Sequence, residues 1–220
     1  MKITSNVLVV ANGVFPHLEE TASLFKLNPT VICCDGAVEK ILQAGYEPNV
    51  IIGDMDSISD ENKTKYSEII VQIDDQDNND LNKALSWLDN KDILSATIIG
   101  ADGDRDDHTL GNTLLLLEKK FSYDIQMKTQ AGMYSVINTN LMDKDESDSY
   151  TKTFNTRKEK SVSIFCTDRQ AILSSKGLKY ELRDFQFEKL YEASLNIAIS
   201  ESFSISCNKP NTSILVYREN

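Results

Sequence analysis

Short apolar runs alternate with segments of helical period through the first half of the chain. The runs occupy residues 7–10, 31–34, 50–52, 69–71 and 97–99, and each leads within three residues to glycine, asparagine or aspartate. Between these runs, the sequence predicts helices over 37–44, from about Leu81 onward, and over 109–117. Continuous apolar strands separated by helices are typical of a mostly parallel sheet covered on both faces, so this half predicts an α/β domain.

The hydrophobic period changes to two near the C-terminus. Phe203, Ile205 and Cys207 alternate with serines, and residues 161–164 and 213–216 show a similar alternation. Alternation of this kind predicts half-buried antiparallel strands, with one side chain of each pair in a core and the other in water.

A polar and charged stretch separates the two patterns. Residues 138–160 carry several aspartates, lysines and serines, which favours a linker or a long surface connection. We therefore predict an N-terminal α/β domain with a mostly parallel sheet over residues 1–140. A smaller all-β, sandwich-like domain is expected over residues 155–220.

Composition narrows the class of protein. The net charge of -11 argues against binding to a nucleic-acid backbone, which needs a basic surface. No apolar stretch approaches the roughly 20 residues that a membrane span needs. The first residues lead into a short apolar run, which predicts a first strand and not a signal peptide. Four cysteines without a Cys-x-x-Cys pair favour reduced, buried thiols and a cytoplasmic location.

Three acid-rich clusters follow apolar runs, at residues 53–57, 74–80 and 102–108. The carboxyl ends of parallel strands meet at one edge of a sheet, so we expect these clusters to converge there. Carboxylate oxygens are the ligands that Mg²⁺ prefers, usually together with substrate phosphates. The pattern predicts a magnesium-dependent enzyme that acts on a nucleotide.

Asp54 and Asp56 are the strongest metal candidates. They are two residues apart, so in an extended chain their side chains share one face while Met55 points to the other. Two carboxylates on one side repel each other unless a cation or hydrogen-bond donors neutralise them. A strand end with an Asx-type turn explains the same residues without a metal.

The second cluster has two explanations. Asp77 is either a ligand or the N-cap of the helix that begins near Leu81, and Asn79 is the other candidate for that cap. Asp80 is better placed for function, and Gln76 can donate a hydrogen bond to a ligand.

The third cluster surrounds Arg105 with aspartates. Local charge compensation explains this arrangement, and so does a guanidinium fork that binds phosphate oxygens. Asp107 and His108 begin a predicted helix as a cap and a polar contact. The lysine-containing P-loop motif is absent, which argues against ordinary nucleoside triphosphatase chemistry.

Taken in order, these motifs resemble those of the thiamine pyrophosphokinases. The matching segments are 35–37, 48–57, 75–81, 103–108 together with Asn112, and 174–180. Gly-Asp-x-Asp-Ser followed at this spacing by Asp-x-x-Asp-Leu is the most specific part. The resemblance implies an N-terminal α/β catalytic domain and a C-terminal β-sandwich. It also implies Mg²⁺-dependent transfer of diphosphate from ATP to the hydroxyl of thiamine, giving thiamine diphosphate and AMP, by a homodimer with thiamine at the subunit interface.

The resemblance also assigns roles by motif position. Asp54, Asp56 and Asp80 would hold Mg²⁺ and, with Arg105, form the catalytic group. The nucleotide site would contain Asp35, Gly36, Gln76, Asp77, Arg105, Asp107 and His108. The thiamine site would contain Ser175, Tyr180 and Asn112, with Tyr180 contributed by the partner subunit. The residues leave open which carboxylate accepts the alcohol proton.

Three departures from the family pattern affect this picture. The stretch before Arg105, residues 100–104, carries fewer glycines than the family usually has there. Asp106 stands where the family often has an aromatic or apolar residue. Leu195 separates Ser194 from Asn196, which are adjacent in the family pattern, so the role of Ser194 is left open.

Three other functions would account for some of the same residues. A pyrophosphokinase for another alcohol, such as a pterin, would keep the aspartates and change the C-terminal pocket. A phosphatase would use Asp54 as a nucleophile and release inorganic phosphate. A non-catalytic sensor of thiamine or nucleotide would bind its ligands without turnover.

Overall fold

The computed structural model describes residues 3–103 and 105–220, so Asp104 of the third acidic cluster lies outside the described residues. The chain divides into two compact units. Unit 1 runs to Thr113 and includes Ile125–Gln130, whereas unit 2 comprises Leu114–Asp124 and Ala131–Asn220.

Unit 1 is built on a mostly parallel sheet. Its strands are β1 (Asn6–Val10), β2 (Thr30–Cys34), β3 (Val50–Gly53), β4 (Ile70–Gln72), β5 (Ser95–Ile99) and β6 (Asp124–Lys128). The spatial order is β6-β5-β1-β2-β3-β4, and every pair from β5 to β4 is parallel. Strands β1, β2 and β3 are buried almost throughout, because helices cover a parallel sheet on both faces. The predicted apolar strands are therefore confirmed.

The helices are α1 (Leu18–Lys26), α2 (Val38–Gln43), α3 (Asp60–Lys65), α4 (Asp80–Leu88) and α5 (Asp106–Glu118). Three of them correspond to predicted helices, and α5 begins three residues earlier than expected. Helices α1 and α3 were not predicted. Helix α3 buries none of its residues, so its sequence carries no apolar period to detect.

Unit 2 is antiparallel. Its strands are β7 (Gly132–Asn138), β8 (Tyr150–Asn155), β9 (Ser161–Cys166), β10 (Leu173–Lys176), β11 (Ala193–Ile197), β12 (Ser202–Cys207) and β13 (Ser213–Glu219). One set has the order β11-β9-β13-β7 and the other β10-β12-β8. Alternate residues of both sets, including Ile164, Phe203 and Ile214, share one buried cluster. The prediction of an α/β domain followed by a smaller all-β domain is confirmed.

One prediction about this region is wrong. The stretch 138–160 is not simply a connection, because it contains β8, which pairs with β12 through Phe154 opposite Phe203. Phe154 is the one buried residue of β8, so the strand lacks the apolar alternation that would have marked it. Among residues 3–103 and 105–220, no helix has the length and apolar character required to cross a membrane.

The aromatic pair in the core of unit 2 gives a stability prediction. Phe203 is 2% exposed, and its ring centroid lies 5.3 Å from that of Phe154. Replacing Phe203 by Ala should lower the free energy of unfolding by about 3–5 kcal/mol, measured by urea denaturation with far-UV circular dichroism. Tyr191→Ala is the control, because this side chain is 66% exposed, and it should change stability by less than about 0.5 kcal/mol. Equal unfolding midpoints for the two variants would contradict the assignment of this core.

Candidate active site

Asp35 is a buried aspartate at the base of the site. It follows β2 and begins a single 3-10 turn, Asp35–Ala37, and its side chain is fully buried. One carboxylate oxygen accepts the Gly36 amide at 2.6 Å, and the other accepts the Met55 amide at 2.9 Å. A Cβ on Gly53 would lie 2.5 Å from the Asp35 Cγ atom, so only glycine leaves room for this carboxylate.

The environment of Asp35 makes its charge costly. Burial, followed by the nearby charge of Asp80, raises the pKa of Asp35 to about 6, although the hydrogen bonds from the Gly36 and Met55 amides oppose the shift. A cation bound nearby would stabilise the ionised form of this buried carboxyl group.

Asp54 and Asp56 come together by a different geometry from the one predicted. Met55 has φ 69° and is 7% exposed, so the segment is not extended between the two aspartates. The left-handed residue turns Met55 into the core of unit 1. One carboxylate oxygen each from Asp35, Asp54 and Asp56 nevertheless lie within 4.8 Å of one another. The Asp56 amide also donates to Asp54 Oδ1 at 3.4 Å, which is the contact of an Asx-type turn.

Asp80 is the first residue of α4, next to the helix cap. The Asn79 side chain accepts the Asn82 amide at 2.9 Å, so Asn79 is the N-cap and Asp77 is not. The negative charge of Asp80 lies close enough to Asp35 to raise the pKa of the Asp35 carboxyl group. The N-terminus of α4 thus brings a fourth carboxylate to the group.

Lys83 is a site residue that the sequence reasoning missed. Its ammonium lies 2.9 Å from Asp80 Oδ1 and 3.3 Å from Asp54 Oδ2, and its side chain is 3% exposed. Burial alone would lower the pKa of Lys83, but the hydrogen bonds and charges of Asp80 and Asp54 outweigh it and raise the pKa. The sequence feature that could have identified Lys83 is its position three residues after Asp80, a spacing at which two side chains of a helix can form an ion pair.

A cleft of about 360 Å³ lies beside the acid group in unit 1. It occupies the carboxyl ends of β1, β2 and β5, where strand β1 has neighbours on both sides and the chain order reverses. Open α/β sheets bind their ligands at such a switch point. The predicted residues that line it are Gly36, Asp80, Arg105, His108 and Asn112.

The walls of the cleft are fixed by a short hydrogen-bond network. Asn112, which is 7% exposed, donates to the Ala101 carbonyl at 2.8 Å and accepts from the Asn79 side chain at 3.0 Å. The Gly13 amide is bonded to the Gly100 carbonyl at 2.5 Å. The loops after β1 and β5 and the start of α4 are therefore held together around the cleft.

Arg105 and Asp107 form an exposed ion pair. Arg105 donates from Nε at 3.0 Å and from Nη2 at 2.5 Å to the two oxygens of Asp107. The hydrogen bond from Arg105 lowers the pKa of Asp107 to about 2. Local charge compensation is thus present, and it fixes the guanidinium plane of a residue that lines the cleft.

The remaining predicted residues of unit 1 lie around the acid group. Gln76 donates to Asp54 Oδ2 at 3.3 Å. The Asp77 amide donates to Asp75 Oδ1 at 2.9 Å, within a local turn. Neither Gln76 nor Asp77 is among the described residues that line the cleft.

The predicted thiamine residues of unit 2 differ in exposure. Ser175 is 5% exposed, and its hydroxyl accepts the Leu182 amide at 2.8 Å. Tyr180 is 61% exposed. Asn196 was not predicted, yet its side chain accepts the Tyr180 amide at 3.1 Å and donates to the Tyr180 carbonyl at 2.6 Å. Asn196 therefore fixes the backbone that presents Tyr180.

The extra residue Leu195 forms a bulge. The pairing of β11 with β9 shifts register between Ala193 and Asn196, and Leu195 has φ 59° with 81% of its surface exposed. A bulge absorbs one additional residue without changing the strands on either side. Asn196 consequently keeps its place in the core although Ser194 is displaced from it in sequence.

The close approach of Gly53 to Asp35 can be tested. Gly53→Ala should lower the free energy of unfolding by about 1–3 kcal/mol, because the added methyl group collides with a buried carboxyl that cannot move away. Urea denaturation of the metal-free protein measures this change. Gly111→Ala is the matched control, since its added Cβ meets none of the described atoms outside its own helix within 4 Å. That control should raise the free energy of unfolding by about 0.5–1 kcal/mol, and a similar gain for Gly53→Ala would refute the packing argument.

Comparison with known proteins agrees with this geometry. The model of the thiamin pyrophosphokinase catalytic domain matches residues 21–129, and that of the thiamin pyrophosphokinase substrate-binding domain matches residues 147–217. Thiamin pyrophosphokinase 1 of Caenorhabditis elegans is 28% identical over 183 residues, covering 78% of this chain and 73% of the relative. Thiamine pyrophosphokinase 1 of Oryza sativa subsp. japonica is 33% identical over 110 residues, covering 39% of this chain and 42% of the relative.

Solved structures show the same fold. The thiamine pyrophosphokinase from Bacillus subtilis has a TM-score of 0.77 at 20% identity, covering 98% of this chain and 99% of that chain. The thiamin pyrophosphokinase from Candida albicans has a TM-score of 0.72 at 20% identity, covering 98% of this chain and 89% of that chain. The two family models together span most of the sequence, and on their evidence the chain belongs to the thiamin pyrophosphokinase family.

Proposed function

We propose that this protein transfers the terminal diphosphate of ATP to the hydroxyl of thiamine. Its family is one of thiamine diphosphokinases. In the reaction, the thiamine oxygen bonds to the β-phosphorus, the bond from that phosphorus to the α-phosphate oxygen breaks, and AMP leaves. The observation that carries the proposal is the meeting of oxygens from Asp35, Asp54 and Asp56 within 4.8 Å, near a cleft lined by Asp80 and Arg105.

The acid group has the donor set that Mg²⁺ requires. Its members present hard oxygen atoms, and no thiol takes part in the described group, so a hard cation fits better than a soft one. Asp54 and Asp56 would hold the ion, with Asp80 as the third ligand that the motif implies. Asp35 lies in contact range and offers a further oxygen. Bound there, Mg²⁺ would neutralise phosphate charge.

The residues of the cleft then position the nucleotide. Arg105 supplies a planar cation for phosphate oxygens, and its pairing with Asp107 limits the rotation of its guanidinium. His108 and Asn112 line the same cleft. Positioning and charge neutralisation are the main needs of phosphoryl-group transfer, so no covalent nucleophile is required.

Thiamine would bind through unit 2 of a homodimer. The exposed ring of Tyr180 can stack on a flat heteroaromatic ring, and Asn196 fixes the backbone behind it. Other large apolar side chains of this unit are also exposed, namely Leu190, Tyr191, Leu195 and Ile199. Such residues favour an interface with a second copy of the chain. A cytoplasmic location is supported by four buried, free cysteines.

The metal ligands provide the first test of this function. Asp54→Asn and Asp56→Asn should each lower kcat/KM by about a hundredfold or more, because each removes a charged ligand from the cation. The measurement is AMP formed from ATP and Mg²⁺ with and without thiamine, together with inorganic phosphate. Asp60→Asn is the matched control, since its side chain is fully exposed at the start of α3.

The same assay separates the rival functions. AMP release that depends on a pterin alcohol and not on thiamine would favour the other pyrophosphokinase. Phosphate release without AMP would indicate a phosphatase, and binding of both ligands without turnover would indicate a sensor. Wild-type rates in both Asp54→Asn and Asp56→Asn would remove these residues from the site.

Tyr180 provides a separate test of the thiamine site. Tyr180→Ala should raise the KM for thiamine by about tenfold with a small change in kcat, because loss of one stacking surface weakens ground-state binding. Leu141→Ala is the control from the same unit, because this side chain is 44% exposed and is not among those assigned to the subunit interface. An unchanged KM would exclude Tyr180 from the site.

Mixing two variants tests whether subunits share a site. If Tyr180 reaches a partner's active site, a dimer of one Asp54→Asn chain and one Tyr180→Ala chain contains one intact site. Denaturing and refolding the two variants together should then restore thiamine turnover at low thiamine concentration. Activity no higher than the sum of the separate variants would place both residues in one subunit's site or rule out the dimer.

A further inference from the structure

Lys83 is the one described cation in direct contact with two of the proposed metal ligands. Its ammonium contacts Asp54 Oδ2 and Asp80 Oδ1, at 3.3 Å and 2.9 Å. The lysine side chain is 3% exposed, whereas those of Asp54 and Asp80 are 19% and 33% exposed. The ammonium therefore sits on the protein side of the carboxylates and leaves their other faces toward solvent.

A buried ammonium in this position has two effects on a divalent ion. It neutralises part of the repulsion among the carboxylates, which lets them stay close when no metal is bound. It also repels an incoming cation and occupies oxygen atoms that a metal would otherwise use. Screening is weak here because the lysine is buried, so the second effect persists at ordinary salt concentration.

We propose that Lys83 is an internal counter-ion that weakens the binding of a free divalent cation, so that the cation binds well only together with a polyphosphate. The phosphates bring the negative charge that compensates for both the ammonium and the metal. The nucleotide part of this inference rests on the proposed function. The effect on the free cation depends only on Lys83 and the aspartates.

The test is a titration of the full chain with Mn²⁺ alone, followed by electron paramagnetic resonance and calorimetry. Lys83→Met should lower the dissociation constant for Mn²⁺ by about tenfold or more, since removal of one buried positive charge strengthens attraction to the acids. Lys83→Arg keeps the charge and should stay within about threefold of wild type. Lys209→Met is the matched control, because Lys209 pairs with Asp168 at 2.8 Å in unit 2, and it should leave Mn²⁺ binding unchanged.

Two further measurements, thermal unfolding and Mn²⁺ binding with a nucleotide analogue present, distinguish this role of Lys83 from a purely structural one. The metal-free Lys83→Met protein should melt at a lower temperature than wild type, because the carboxylates lose their counter-ion, and saturating Mn²⁺ should remove the difference. With a non-hydrolysable ATP analogue present, the tighter Mn²⁺ binding of Lys83→Met should disappear. If Lys83→Met does not fold without metal, Lys83→Gln replaces it.

Three outcomes would overturn the proposal. These are weaker or unchanged Mn²⁺ binding in the neutral variant, equal tightening in Lys83→Arg, and a neutral variant that stays unfolded with Mn²⁺. Failure of the proposed function gives a different result, because wild type would then release no thiamine-dependent AMP while its Mn²⁺ titration still responded to Lys83.

Discussion

The burial of one carboxyl group is the constraint on which the site depends. Asp35 has no exposed surface, and its carboxylate accepts hydrogen bonds from two backbone amides, those of Gly36 and Met55. The Met55 amide reaches it because Met55 adopts a left-handed conformation. The same conformation directs Asp54 and Asp56 toward Asp35, so the fold assembles the acid group through the hydrogen bonds that satisfy its buried member.

Much of this architecture could be predicted from local sequence. Buried parallel strands such as β2 and β3 are continuous apolar runs, and residues after such strands lie at the ligand-binding edge of the sheet. The position of Asp54 at that edge therefore followed from its neighbours alone. Strand β8 and helix α3 could not be found in this way, because each buries too few side chains to leave a periodic pattern.

The contacts within the site were harder to predict, since they join residues far apart in sequence. Lys83 looks like an ordinary helix residue until the fold brings Asp54 to it across 29 positions. In the sequence, Asn196 stands one position away from where the family pattern has it. The structure shows that a bulge at Leu195 accommodates the additional residue. A one-residue shift normally turns every following side chain to the other face of a strand, so a linear pattern cannot show which residues keep their place.

Buried Lys83 and the two carboxylates that it contacts, Asp54 and Asp80, stabilise each other. A buried lysine without anions would lose its proton or destabilise the fold, and clustered carboxylates without a cation would repel one another. Lys83 with Asp54 and Asp80 meets both requirements, and it does so from beneath the surface that a ligand would occupy. A metal alone could also have neutralised the acids, but the fold would then have required that metal. The buried lysine lets the acid group persist in the metal-free protein, so cation binding can depend on the substrate.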